Sequence, residues 1–198
     1  QLKEKGVVLS SANSINFGRL APQITYYFSA YCDLVSSGEI NLGDKVNFVV
    51  PTGNFGNILA GYYAKQMGLP VGKLVCASNE NNVLTEFFLS GTYDSNREFF
   101  KTISPSMDIL ISSNLERLLY MISGSNDELV ASYMNQLKEN GKYTVSDDVK
   151  AVMSANAQAV ASSESTEIDI SAYENMPSAI DKAYKTTSGN YVFELHAA

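Results

Sequence analysis

The chain has 198 residues, 45% of them apolar and 18% charged, a balance that supports a packed core and argues against wholesale disorder. Net charge is −7, spread unevenly: residues 1–100 hold seven basic and eight acidic side chains, and residues 101–198 hold seven and thirteen. The acidic second half disfavours nucleic acid or an anionic membrane as a partner, while the near-neutral first half leaves room for an anionic cofactor.

No apolar run approaches the ~20 residues that cross a bilayer. The polar start, Gln1 to Gly6, carries no signal-peptide pattern and no initiator Met, so Gln1 is not expected to be the natural first residue. Cys32 and Cys76 match no metal or redox spacing. They read as buried, inert thiols of a reduced, cytoplasmic protein.

Val7-Val8-Leu9 is a short apolar run with the look of a strand, followed by polar residues 10–14. Phe17, Leu20, Ala21, Ile24, Phe28, Tyr31 and Val35 recur at helical spacing. Pro22 falls inside that pattern, where it should start the regular helix or kink it. Residues 45–50 form a second strand candidate, and Ile58, Leu59, Tyr62, Tyr63 and Met67 mark a helix ended by Gly68 and Pro70. Residues 73–77 read as a strand. Asn82 is placed to cap a short helix over 83–89, with Gly91 at its end. Alternating strands and helices, with unalternated apolar strands, predict an α/β fold: a parallel sheet flanked by helices.

From Ser113 onward the pattern is mainly helical. Ser113 with Glu116, and Ser125 with Glu128, are spaced as capping boxes before apolar helical stripes. A further helix follows Ser146, residues 161–171 read as loop, residues 179–185 as helix and 191–193 as strand. The expected division is residues 1–124 as an α/β ligand-binding part and 125–198 as a mainly helical segment. A strand so close to the C-terminus suggests truncation. Lone His196 reads as structural or exposed.

Chemistry concentrates at Val49-Val50-Pro51-Thr52-Gly53-Asn54-Phe55-Gly56-Asn57-Ile58. This is a strand, a glycine-rich turn and a helix start. Glycines at 53 and 56 are expected to let the backbone adopt left-handed angles and bring its N–H groups close to a ligand. The first turn of the helix adds unpaired N–H groups and the positive end of its dipole, a seat for a phosphate that needs no Lys or Arg. The loop lacks the Gly-Lys-Ser/Thr ending of a nucleotide P-loop and the third glycine of a dinucleotide fingerprint. On the residues alone, a plain βα turn with glycine at its tight positions explains the same pattern.

Pro51-Thr52-Gly53-Asn54-Phe55-Gly56-Asn57 resembles the loop that holds the phosphate of pyridoxal phosphate (PLP) in the threonine synthase family, among the fold type II PLP enzymes. Three more stretches resemble that family at comparable places: residues 11–16 with Arg19, residues 77–84, and residues 104–109. The likeness runs from about Gly6 to Leu119 and is loose after Gly141. It implies PLP as cofactor, cradled by Gly53, Asn54, Phe55, Gly56 and Asn57. It also implies O-phospho-L-homoserine as small-molecule substrate, its phosphate met by Asn13, Ser14, Asn16 and Arg19. An Arg fork with neighbouring amides suits that anion, although on its own Arg19 reads as a solvated helix residue. The resemblance further implies a Schiff-base Lys upstream of Gln1 and a partner for the pyridine nitrogen beyond Ala198. None of the eleven lysines stands in a matching context.

Asn79 and Asn81 lie just past a strand end, the usual ligand edge of a parallel sheet, whereas Asn82 reads as a cap. Ser106 and Asp108 share the family context without an assignable chemistry. Two other functions stay open: another fold type II PLP lyase or phospholyase, and a non-catalytic module that binds phosphate.

Overall fold

Helix α1 (Phe17–Ser36) begins where Asn16 caps it, its Oδ1 accepting a 2.8 Å hydrogen bond from the Gly18 N–H. The cap, not Pro22, decides the start, and Pro22 sits inside the helix. As the sixth helical residue it lies past the first turn, so it costs α1 one intrahelical bond, the one an N–H there would donate to Gly18 O. The structure is a computed structural model that describes residues 3–8, 13–156, 183–185 and 191–193.

Strand β1 (Val46–Pro51) leads through the glycine loop into helix α2 (Gly56–Gln66), and strand β2 (Val71–Ala77) returns parallel to β1. The expected β-α-β order and parallel pairing are present. Val50 pairs with Cys76 and Pro51 with Ala77, which sets the two strand ends beside the loop. Val46, Phe48 and Val50 face the packed side, and Asn47 and Val49 face the other, which is exposed among the described residues. Tyr27 of α1 closes the packed side. Its ring lies edge-on to Phe48, centroids 5.0 Å apart. Gly61 is where α2 lets that ring in: a Cβ there would come within 2.6 Å of Tyr27 Cε1.

Helix α3 (Val83–Ser90) ends at Gly91, whose φ of 79° is the left-handed C-cap expected of glycine. The residues after Gly91 form a strand that the sequence pattern does not predict. Strand β3 (Thr92–Asp94) pairs antiparallel with β4 (Lys142–Thr144), about fifty residues later in the chain. Three-residue strands are too short to show alternation; side chains set the pairing instead. Tyr93 and Tyr143 stack with centroids 5.5 Å apart, Tyr133 stacks on Tyr143 at 5.4 Å, and Phe87 meets both Tyr93 and Tyr143 edge-on. One apolar core thus runs from Leu20 on α1 to Met153 on the last long helix.

Helices α4 (Leu115–Ile122), α5 (Asp127–Asn140) and α6 (Asp147–Asn156) follow as expected, but their starts differ. Asn114 and Asn126, not Ser113 and Ser125, take the cap positions. Asn126 caps with its side chain, accepting from Leu129 N–H at 2.9 Å. Ser125 is left-handed, φ 65°, and cannot cap from there. Asn114 makes no side-chain cap bond; its Oδ1 accepts from Arg117 Nη1 instead.

Three further expectations change. Val7 and Val8 form no strand; both are exposed, with no described strand to pair with, and Leu9 lies outside the described residues. Residues 183–185 form strand β5, antiparallel to β6 (Tyr191–Phe193), in place of the expected helix end. Cys32 is exposed, not buried, because it falls off the apolar stripe of α1. The expected loop at 161–171 and His196 lie outside the described residues. Among the described residues no helix is long and apolar enough to cross a membrane.

Burial keeps the core tyrosines protonated. It pushes the Tyr93 phenol up to about 12, against smaller lowering effects of the Ser112 N–H and the Arg97 charge. Burial raises Tyr143 further, helped by its tyrosine neighbours, and raises Tyr27 as well. Unfolded tyrosines release their protons near pH ~10. Between about pH 10 and 12 the folded state therefore holds protons that the unfolded state has lost, and stability falls as pH rises. Urea midpoints should drop steadily from about pH 9.5 to 11, and Tyr143→Phe should flatten the decline. Equal slopes in the two proteins would contradict the assigned cause.

Candidate functional site

The loop between β1 and α2 closes around Phe55. This residue has φ 61° and ψ 4°, left-handed angles that a side chain with a Cβ rarely adopts. Its ring is buried and faces Phe88 at 5.9 Å. The first intrahelical bond of α2 runs from Leu59 N to Phe55 O at 3.1 Å, so the amides of Gly56, Asn57 and Ile58 precede the helical ladder.

A cavity of about 170 Å³ opens at this point. Its lining includes the whole stretch 51–58 together with Ser14, Arg19, Gln23 and Ser106. All five expected cradle residues are thus on one cavity wall. Asn57 contributes chiefly main chain, since Tyr27 Oη donates to its carbonyl at 2.8 Å and lies 3.0 Å from its Oδ1. The lining holds one cation, Arg19, and no carboxylate, a balance that suits an anion.

Of the substrate-side residues, Ser14 and Arg19 reach the cavity and Asn13 and Asn16 do not line it. Asn13 Oδ1 accepts from the Ile15 N–H at 3.2 Å and from Ser14 Oγ at 3.3 Å, and Asn16 Oδ1 caps α1. These two asparagines shape the turn that brings Ser14 and Arg19 to the loop.

Gly53 answers to close approach, whereas Gly56 meets only ordinary contacts. A Cβ on Gly53 would lie 2.8 Å from the Ser106 carbonyl oxygen, in the 3-10 turn Pro105–Met107. A Cβ on Gly56 would stand 3.4 Å from Asn114 Nδ2 and 3.7 Å from Gln23 Oε1.

Behind the loop runs a wall that the sequence pattern does not single out. Ser112 Oγ donates to Gly53 O at 3.0 Å. Asn114, wholly buried, donates from its N–H and from Nδ2 to Asn54 O at 3.2 and 2.9 Å, and from Nδ2 to Ser14 O at 3.1 Å. Arg117 Nη1 donates to Asn114 Oδ1, and its Nη2 to Ile15 O at 2.6 Å. Tyr93 Oη steadies the wall, accepting from Ser112 N–H and donating to Leu110 O, both at 2.9 Å. The signal in the sequence is a polar pair, Ser112 and Asn114, just before an apolar helical stripe, which reads equally well as a cap. Gln23 and Thr52 also escape the sequence pattern; Thr52 Oγ1 donates to Val50 O at 2.6 Å.

Asn79 and Asn81 bond within the fold and do not line the cavity. Both donate to Asp108 Oδ1, at 2.8 and 3.1 Å, while Thr102 donates to Asp108 from its N–H and its hydroxyl at 2.8 and 2.7 Å. Partial burial acts to raise the Asp108 carboxyl, but these donors together hold it below the usual range. Asn82 does not cap α3 with its side chain; its Oδ1 accepts from Arg97. On β2, burial pushes the Cys76 thiol up to about 11, partly offset by its hydrogen bond with Thr52.

No family model matches the chain. It is 52% identical over 143 residues to human threonine synthase-like 1, covering 72% of this chain and 19% of that protein. It is 46% identical over 146 residues to the threonine synthase of Saccharomyces cerevisiae, covering 69% and 28%. With that of Schizosaccharomyces pombe it shares 38% over 210 residues, covering 96% and 38%. Among solved structures, it is similar to the PLP-bound threonine synthase of Brucella melitensis, with TM-score 0.66 and 43% identity over 75% of this chain and 31% of that one. The yeast threonine synthase structure gives TM-score 0.67 and 44% identity over 73% and 30%. The chain thus spans between 19% and 38% of the length of these curated relatives.

Gly53→Ala should displace the loop from the Ser106 turn and lower stability by about 1–3 kcal/mol, the usual cost of overpacking. An unchanged urea midpoint would show that the approach is slack. The Asp108 carboxylate supplies stability above its unfolded pKa of ~3.9, and that stability is lost as pH falls through the lower folded value. Asp108→Ala should cost about 2 kcal/mol at pH ~7 and progressively less as pH drops below ~4, measured by urea unfolding across that range.

Proposed function

We infer, for a chain that belongs to the threonine synthase family over the stretch it shares with its relatives, that the loop at residues 53–57 holds the phosphate of pyridoxal phosphate. The observation that supports this most is the convergence of the pre-ladder amides and the loop at residues 51–58 on one cavity that no carboxylate lines. Such a seat favours a phosphate that stays bound over one that is transferred, since no Lys or metal-binding Ser/Thr follows the loop. The residues present fit the group.

In this reading residues 53–57 carry the cofactor phosphate, chiefly through main-chain N–H groups. Arg19 and Ser14, across the same cavity, receive the phosphate of the substrate, O-phospho-L-homoserine. Asn13 and Asn16 join the substrate side. Their Oδ1 atoms serve the turn and the cap, and Nδ2 remains a donor for an anion. The Arg19 guanidinium offers a planar fork to a leaving phosphate. Bound pyridoxal phosphate supplies the electron sink for proton removal beside the amino-bearing carbon. The protein as a whole then converts O-phospho-L-homoserine and water into L-threonine and phosphate, in the cytoplasm. The lysine that anchors the cofactor covalently comes from outside residues 1–198, so this chain alone does not turn over.

The natural full-length protein should release phosphate from O-phosphohomoserine and form threonine, while residues 1–198 alone form none. Arg19→Ala should raise KM for this substrate about tenfold or more, roughly the 1.4 kcal/mol or more expected of a charged hydrogen-bonded pair, and leave cofactor affinity close to unchanged. Phosphate release without threonine would replace this reading by that of a phospholyase with another product. No binding of pyridoxal phosphate at all would overturn it.

A further inference from the structure

The loop's carbonyls are tied on one side, and this decides where its amides point. In a trans peptide the C=O and the following N–H lie in one plane and point in opposite directions, and the chain has no cis peptide bond among the described residues. Gly53 O is held by Ser112 Oγ, so the Asn54 N–H points away from the wall at 112–114. Asn54 O is held twice by Asn114, so the Phe55 N–H points the same way. The cavity is lined by residues 51–58 and not by Ser112 or Asn114. The free side of both peptides is therefore the cavity side.

Asn114 also reaches past the loop. The Nδ2 that grips Asn54 O grips Ser14 O as well, and Arg117 bonds both Asn114 Oδ1 and Ile15 O. A primary amide is suited to this place. It offers two N–H donors to two carbonyls and one acceptor to the guanidinium, with no charge to desolvate in a fully buried position.

We propose that Asn114 is a positioning residue for anion binding: it turns the amides of the loop toward the cofactor phosphate and fixes the substrate-side segment at 14–15 to the same wall. It touches neither ligand. The proposal rests on the reading of the loop as the phosphate cradle. Removing the side-chain grip leaves Asn54 O only the 3.2 Å bond from the Asn114 N–H, so the Asn54–Phe55 peptide is held less firmly and its amide is aimed less well at the anion. The loss should fall on ligands that carry a phosphate and spare those that do not.

The test compares pyridoxal phosphate with pyridoxal in the full-length protein, both by equilibrium fluorescence titration. The natural protein should prefer pyridoxal phosphate strongly. Asn114→Asp and Asn114→Ala should weaken pyridoxal phosphate by about tenfold or more, as expected when preorganised donors lose their aim, while pyridoxal affinity stays within about twofold. Ser112→Ala, which removes only the Gly53 anchor, should cut the preference by roughly threefold. It also decides the matter should the Asn114 variants fail to fold. Folded variants that keep the natural preference overturn the proposal and leave the cradle reading intact. A natural protein without any preference for the phosphate form overturns both. A purely structural Asn114 would weaken both ligands alike, which equally rejects the role.

Discussion

The conformation of Phe55 is the constraint on which this site depends. A side chain at φ 61° costs roughly 1–3 kcal/mol in a sparsely populated backbone region. Burial of a Phe ring contributes about 1.5–3 kcal/mol, and Phe55 is 5% exposed against Phe88 on α3. The two magnitudes are comparable, so the strained turn persists only with α3 in place. The left-handed residue then sets the amides of the first turn of α2 beside those of the loop. Local strain at a ligand site is thus offset by an apolar contact one element away.

The support extends by steps through the rest of the chain. Phe87, next to Phe88, meets Tyr93 and Tyr143, whose stack joins β3 to β4 and, through Tyr133, to α5. Tyr93 carries its hydroxyl to Ser112 and Leu110, so the aromatic cluster also steadies the wall behind the loop. Ser112 and Asn114, just ahead of α4, hold the loop's carbonyls, and strand β4 completes the tyrosine stack.

Polar residues divide into two groups by what their donors meet. Asn79, Asn81 and Thr102 spend theirs on the Asp108 carboxylate, and Asn114 spends its own on main-chain carbonyls. Neither cluster lines the cavity. Arg19, Gln23, Ser14 and Ser106 do, from α1, the turn before it and the 3-10 turn. Four polar residues from two stretches of chain, 14–23 and the 3-10 turn, thus share the cavity with the loop at 51–58.

The order β1, loop, α2 and β2 was legible because each depends on local chemistry, apolar runs and the unpaired first turn of a helix, although the left-handed residue of the loop is Phe55 and not Gly53 or Gly56. That residues 53–57 form the loop between β1 and α2 was legible for the same reason. The short strands β3 and β4 were not, since three residues carry no periodicity and a stack between Tyr93 and Tyr143 exists only once the chain brings them together. Ser113 and Asn114 show the limit most clearly. By spacing alone Ser113 is the better cap, yet Asn114 holds the cap position without capping, its amide drawn to Ser14 and Asn54. The sequence by itself determined that an anion seat could form between β1 and α2. Only the tertiary structure decided which way its amides face, because that depends on donors about sixty residues further along the chain.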